Sequence, residues 1–405
     1  MSAPLEIQHH DLLDALNKKT SVSDKIAFLH RVVRQHCAFI HRIGVAVYDQ
    51  RTDTLKTFAH STEGENPLGN YQCKLREARA LYQIFLDGQP RVVNDIAAMP
   101  SAREHTRRLQ AFGFRASYTI PTYLDDSLTG FVFFNSRFPD VFDESSLPYF
   151  DMIARLISLL VSVELQQVRT LYGALKMATS FSGHKDPETG EHLDRMAHFS
   201  RLIANEVAPH YGLSDEFVES IYWFAPMHDV GKIAIPDHII RKPAKLSTDE
   251  FEVMKTHATR GREIINSMLG NFNLDRSGMA RMIGNIAEYH HENMDGSGYP
   301  CGLRGDDIPI EARIVAVADV FDALTSTRCY KPAWSNEEAF EALRGMAAWK
   351  LDRLCVDALC RHAGKVQEIQ DLFQDSHEPP ERDAFVLRRG CGAAAPSASV
   401  LDSVR

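Results

Sequence analysis

The stretch YHHENMDGSGYPCGLRG, residues 289–305, sets His290 beside His291 and follows them with two acids, four glycines and a proline. Imidazoles and carboxylates hold divalent metals, and glycine lets backbone turn sharply and approach a ligand closely. Other stretches carry the same ligand types. DPETGEH sets Glu188 and His192 four apart, on one face if the segment is helical. MHDVGK pairs His228 with Asp229 and puts Lys232 one turn on. MKTHATRG supplies His257, and IVAVADVFDAL places Asp319 among Ile314, Val315, Val317 and Val320, where a carboxylate is costly to bury without a partner. A lone histidine on an apolar face is more often a packed core residue than a ligand. His198 and His210 are read that way.

Five histidines and three carboxylates, with no cysteine among them, exceed what one ion of four to six ligands can use. Neighbouring residues on a helix point about 100° apart, so each His–Asp or His–His pair can serve two adjacent ions or one ion at a kinked helix end. The pattern favours a cluster of two or three metals. Imidazole with carboxylate suits iron, manganese, zinc or nickel, and the lack of thiolate argues against a structural zinc site. Such a cluster activates water and clamps the oxygens of an in-line displacement, the chemistry of phosphoester hydrolysis.

These residues need a scaffold. Residues 182 to about 376 read as almost wholly helical, with polar loops and no convincing strand. Ahead of them, 147–181 is one continuous helical pattern, with Val161, Leu165, Val168, Tyr172 and Leu175 at 4-3-4-3 spacing. That is the seam of a coiled coil and of a dimeric connector, or else of a helix packing on its own domain. The first 150 residues mix helix and strand. Strands are expected at 42–49, 54–60, 91–95, 116–124 and 130–136, helices at 11–36 and near 74–86 and 102–112, and a hairpin turn in LDDSLTG. The last residues, 377–405, are small, polar and aperiodic, the composition of a disordered tail.

Composition narrows the partners. The 405 residues carry a net charge of −9, which argues against a groove for a nucleic-acid polymer. IARLISLLVSV, the most apolar run, is about half the length of a membrane span and contains Arg155. The N-terminus lacks a secretory pattern, and seven cysteines without a CxxC pair give neither a disulfide framework nor a zinc site. No membrane association and a cytoplasmic location are therefore expected.

The run ETGEH, HDVGKIAIPD, KPAKLSTDEFEVMKTHATRG and HHENMDGSGYPCGLRGDDIPIEARIVAVADVFDALTSTRCYK resembles an HD-GYP domain, the branch of the HD phosphohydrolases that degrades cyclic di-GMP. The resemblance covers roughly residues 183 to 360 and includes every motif block in order. It implies His192, His228, Asp229, His257, His290, His291 and Asp319 as metal ligands, with Asp229 as the bridge between two or three divalent ions, iron or manganese. Glu188 implies a third metal, against the plainer reading of an exposed acid near a helix start. Lys232 would contact phosphate and stabilise charge in catalysis with Asp229; Arg328 and Lys331 would hold the second phosphate and a guanine face. Asp295, Gly296, Gly298, Tyr299 and Pro300 would form the stiff turn beside the substrate, Tyr299 and Pro300 contacting it. The same loop is implicated in docking diguanylate cyclase (GGDEF) domains. Where relatives often read Phe-Asp-Pro, this chain has Leu351, Asp352 and Arg353.

FVFFNSRFPDVFDESSLPYFDMIARLISLLV, with the strands before it, resembles the close of a GAF domain. The implied architecture is an α+β GAF-like sensor domain (10–150), a long connector helix (147–182), and an all-α HD-type domain (183–376). The implied function is hydrolysis of cyclic di-GMP to pGpG and onward to GMP, in a homodimer, under control of an unidentified small ligand at the GAF-like domain. Cys37 and Cys73 read as buried apolar residues. The competing readings are a module that binds cyclic di-GMP or a diguanylate cyclase without turnover, and a hydrolase of another cyclic dinucleotide such as 3′,3′-cGAMP.

Overall fold

The computed structural model describes residues 13–18, 20–99, 104–181, 190–271, 278–326 and 333–374. They divide into two compact units, with boundaries between Val22 and Ser23 and between Ser162 and Val163.

In the first unit six strands form one antiparallel sheet: β1 Arg42–Asp49, β2 Thr54–Thr62, β3 Gln72–Lys74, β4 Arg91–Val93, β5 Ala116–Leu124 and β6 Ser127–Ser136, in the order β3-β2-β1-β6-β5-β4. β1 and β5 coincide with their expected spans. β3 was not anticipated, because three residues are too few to show a period of two. Its pairing with β2 also delays the following helix, which is α2, Arg79–Asp87. β6 begins three residues earlier than expected. The turn between β5 and β6 is only Asp125 and Asp126, both at positive φ (47° and 61°), so Leu124 pairs directly with Ser127. Helix α1 is Val22–His36 and α3 is Glu104–Ala111; the short turn Asp14–Asn17 belongs to the other unit.

The two sheet faces differ. Ile43 lies opposite Phe134, and Phe134 meets Phe150 of helix α4, Leu147–Phe181, with ring centroids 5.0 Å apart. On the other face Ala46, Leu55 and Phe131 pack with Ile84 and Phe85 of α2.

The second unit is helical: α5 Gly190–Tyr211, α6 Asp215–Phe224, α7 Asp237–Ile240, α8 Thr248–Asn271, α9 Gly278–Tyr289, α10 Ile310–Thr325, α11 Asn336–Met346, α12 Arg353–Arg361 and α13 Ala363–Leu372. Phe199 and Ile203 of α5, Ile221 of α6, Ile283 and Ile286 of α9, and Ile314, Val317 and Phe321 of α10 are fully buried in one core. Each contributes about 1.5–3 kcal/mol on burial, which fixes α5, α9 and α10 side by side. Ser335 starts α11 with a capping box, and Asp352 caps α12. The Leu351–Arg353 turn keeps a structural role: Asp352 also accepts from Tyr211 and Arg313.

Helix α4 uses its apolar residues differently from the seam its spacing suggests. Val161 and Val168 are buried, Val168 and Leu171 belong to the helical core, and Tyr172 packs against it. The side chain of Leu175 lies outside the described residues. Among the described residues of α4, Met152, Leu159 and Val163 are the large apolar side chains that are exposed. Among the described residues no helix is long and apolar enough to cross a membrane. The expected tail, 377–405, lies outside them.

Candidate metal centre

Seven of the eight expected ligands converge in the helical unit. Asp229, His257, His290 and His291 place one ligand atom each within 4.8 Å of one another, and so do His192, His228 and Asp319. Glu188 lies outside the described residues.

Helix ends and two helix interiors do the positioning. His192 enters from the first turn of α5, His257 from the middle of α8, Asp319 from α10, and His290 and His291 from the residues just after α9. His228 and Asp229 sit between two short 3₁₀ turns, Ala225–Met227 and Val230–Ala234. That break in the helix lets adjacent residues address one site from different directions. The second turn is pressed against α8 so closely that a Cβ on Gly231 would lie 1.9 Å from the His257 carbonyl oxygen.

Four of the five imidazoles are oriented through Nδ1. His228 Nδ1–H donates to the Ala225 carbonyl (2.9 Å), His257 to Met254 (2.7 Å) and His290 to Ile286 (3.0 Å), while His192 donates to the Asp322 carboxylate (2.7 Å). All four therefore present Nε2 to the cluster, the tautomer a metal ligand requires. The Nε2 atoms of His257 and His290 and the Oδ1 of Asp229 are buried and complete no hydrogen bond, although His257 Nε2 comes within 3.2 Å of that oxygen. Buried polar atoms without partners are costly, and an ion between them removes the cost. The donor set fits divalent metal.

Asp229 stands between the two groups. Its Oδ1 lies 3.2 Å from His257 Nε2 and 3.7 Å from His290 Nε2; its Oδ2 lies 3.2 Å from His228 Nε2 and 2.8 Å from Lys232 Nζ. Burial alone would raise its pKa, but the Lys232 ammonium and His228 outweigh burial and hold the carboxyl well below the usual range. Burial lowers the pKa of His290 and, more strongly, of His291, so both stay neutral.

The glycine-rich loop forms one wall. Tyr299 lies over His291, ring centroids 4.8 Å apart at 35°, and the Tyr299–Pro300 bond is cis. Burial, then the charges of Asp229 and Asp319, raise the Tyr299 pKa far enough to keep the phenol protonated. Gly298 is packed so tightly on the chain that a Cβ would fall 2.3 Å from the Asn293 nitrogen. Arg328 and Lys331 lie outside the described residues.

Two residues at the site were not singled out from sequence. Asp322, 1% exposed, is the most deeply buried acid of α10; it accepts from His192, from Arg195 Nε (2.6 Å) and from Ser326. The signal that marks Asp319, a carboxylate in an apolar helix, marks Asp322 equally. Glu292, 4% exposed, accepts from the backbone N–H of Cys301, Gly302 and Leu303 and so ties the loop to the residue after His291. Of the two histidines set aside, His198 is buried and stacks on Phe373, whereas His210 is exposed and not a core residue. An Asp322→Asn substitution should weaken metal binding by about 10–100-fold while leaving the fold intact, measured as metal retained against a chelator series.

A family model described as HD domain matches residues 186–354, and one described as GAF domain matches residues 24–161. The chain is 41% identical over 226 residues to the cyclic di-GMP phosphodiesterase response regulator RpfG of Xanthomonas campestris, covering 56% of each chain. It is 39% identical over 204 residues to a cyclic di-GMP phosphodiesterase of Thermotoga maritima (50% of this chain, 52% of that one). It is 41% identical over 188 residues to 3′3′-cGAMP-specific phosphodiesterase 2 of Vibrio cholerae (46% and 34%). The chain thus spans about half the length, or less, of these curated relatives.

Proposed function

We propose that this chain, which carries a GAF domain and an HD domain with the complete HD-GYP motif set, is a metal-dependent phosphodiesterase that hydrolyses cyclic di-GMP. The observation that carries the reading is the convergence of seven ligand residues into two groups with Asp229 between them. Asp229, His257, His290 and His291 would hold one divalent ion, and His192, His228 and Asp319, with Asp229, a second. Iron or manganese suits this imidazole–carboxylate set, and a third ion would rest on Glu188. When bound, the ions would supply an activated water and neutralise charge on the phosphate.

The chain's own groups would do the rest. Lys232, held by Asp229, sets an ammonium beside the position where phosphoryl oxygens gain charge during in-line attack. The His291–Tyr299 pair walls the site, and Asp322 keeps His192 in register. Water displaces the 3′ ribose oxygen, giving linear pGpG; a second cut gives GMP. Arg328 and Lys331 would bind the second phosphate and guanine. The partners this reading expects are diguanylate cyclase domains at the Tyr299 loop and a second copy of the chain, paired through the exposed Met152, Leu159 and Val163 of α4.

Metal content and turnover of both cyclic di-GMP and 3′,3′-cGAMP, measured on one anaerobically purified sample, test this. Two or three Fe or Mn per chain, with pGpG or GMP forming, is the expected result. Selective cleavage of 3′,3′-cGAMP would move the substrate to the class named for the Vibrio cholerae relative. A filled cluster with bound, uncut nucleotide would make the chain a binding module.

A further inference from the structure

The GAF unit contains a cavity of about 800 Å³, within the range of small-molecule sites. Its walls are largely apolar, with Leu55, Ile84, Leu109 and Phe133 among them, yet four Arg or Lys residues line it (Arg42, Lys56, Arg79 and Arg91) against one carboxylate, Asp87. Arg42 is 2% exposed, an unusual place for a guanidinium. The sheet is built to seat it. Arg42 begins β1, and the next residue on the same face is Gly44, where a Cβ would lie 2.4 Å from Arg42 Nη1. Glycine leaves the room that the guanidinium fills. Arg42 Nη1 donates to Asn135 Oδ1 (3.0 Å) and Nε to Asn66 Oδ1 (3.2 Å), and Asn135 Nδ2 donates to Ser117 Oγ (2.9 Å). This polar row crosses β1, β6 and β5 and fixes the cation's orientation. Its field reaches the neighbouring strand: burial and the Arg42 charge together lower the His60 pKa to about 4.

The geometry points to a binding site for a small organic anion, its acidic head on Arg42 and its apolar or aromatic body against Leu55, Ile84 and Phe133. An anion meeting a guanidinium in so dry a setting gains charge-assisted hydrogen bonds that a neutral molecule of the same shape does not. Carboxylate, phosphate and sulfonate heads share that chemistry, and the site does not depend on what the helical unit hydrolyses.

Two dyes separate the head from the body: anilinonaphthalene sulfonate, and N-phenylnaphthylamine, which has the same rings and no charge. Both are titrated by fluorescence into the full chain. The sulfonate should bind the wild type at one site per chain, and Arg42→Met should weaken it by about ten- to a hundredfold, leaving the neutral dye within about twofold. Gly44→Ala is the second variant. It keeps the charge but pushes the guanidinium from its seat, and should also weaken the sulfonate selectively; it decides the matter if Arg42→Met does not fold. Inorganic phosphate should compete with the sulfonate only in the wild type if a phosphate head suits the seat, and benzoate only in the wild type if a carboxylate does. Sulfonate binding that survives both substitutions, or equal losses for the two dyes, would overturn the assignment.

Discussion

Asp229→Asn is expected to lower cyclic di-GMP hydrolysis by at least about a thousandfold and to strip metal from the protein in the same step. The reason is geometric. One carboxylate oxygen faces His257 and His290, the other faces His228 and Lys232, so the residue serves both ligand groups at once. Asparagine keeps the shape but offers one neutral oxygen, and its NH₂ would point at an imidazole nitrogen or the Lys232 ammonium. It also removes the carboxylate that pairs with Lys232 at 2.8 Å. Metal analysis and chromatographic turnover on the same preparation read the result. Asp322→Asn is the comparison, since it leaves every ligand present and acts on the centre through the orientation of His192, although it also weakens the buried pair with Arg195. An Asp229→Asn protein with full metal and full turnover would remove Asp229 from the centre and overturn the two-group reading.

The metal centre was legible because its chemistry restricts residue type: only a few side chains hold divalent ions, and they stand out against apolar helices. A carboxylate in an apolar helix marks Asp319, and the same signal marks Asp322, three residues on along α10. Glu292 was harder. Its role is to accept three backbone N–H groups, and any acid in a glycine-rich stretch looks like a solvated one until the loop closes over it. His210 was misjudged because sequence shows an apolar neighbourhood along the chain, not which side of α5 meets solvent. The α4 seam shows the same limit: heptad spacing at Val161 and Val168 reports that these residues are buried, and the helical unit's own core accounts for Val168. The six strands were largely readable from β-rich runs between turn residues, except β3, which is three residues long. The cavity on Arg42 was not readable, since a charged residue at the start of a strand ordinarily faces water.

The second large effect is expected at a residue with no side chain. Gly231 lies two positions after Asp229, in the turn Val230–Ala234, and its Cα faces α8. A Cβ there would sit 1.9 Å from the His257 carbonyl oxygen and 2.5 Å from the Gly261 nitrogen, both backbone atoms that no rotamer change can move aside. Gly231→Ala therefore has to displace either the turn that carries Asp229 or the helix that carries His257, and with it one side of the metal centre. Overpacking of this kind costs about 1–3 kcal/mol, more where backbone is the obstacle. The expected outcome is a lower melting midpoint together with metal content reduced toward that of Asp229→Asn. Gly345 supplies the control: it lies on α11 with open space around its Cβ position, so Gly345→Ala should be neutral or stabilise by up to about 1 kcal/mol. Loss of metal in Gly231→Ala without loss of stability would mean that the turn gives way and α8 stays put. A Gly231→Ala protein that melts like the parent and keeps its metal would show that the close approach of the turn to α8 does not set the spacing between Asp229 and His257.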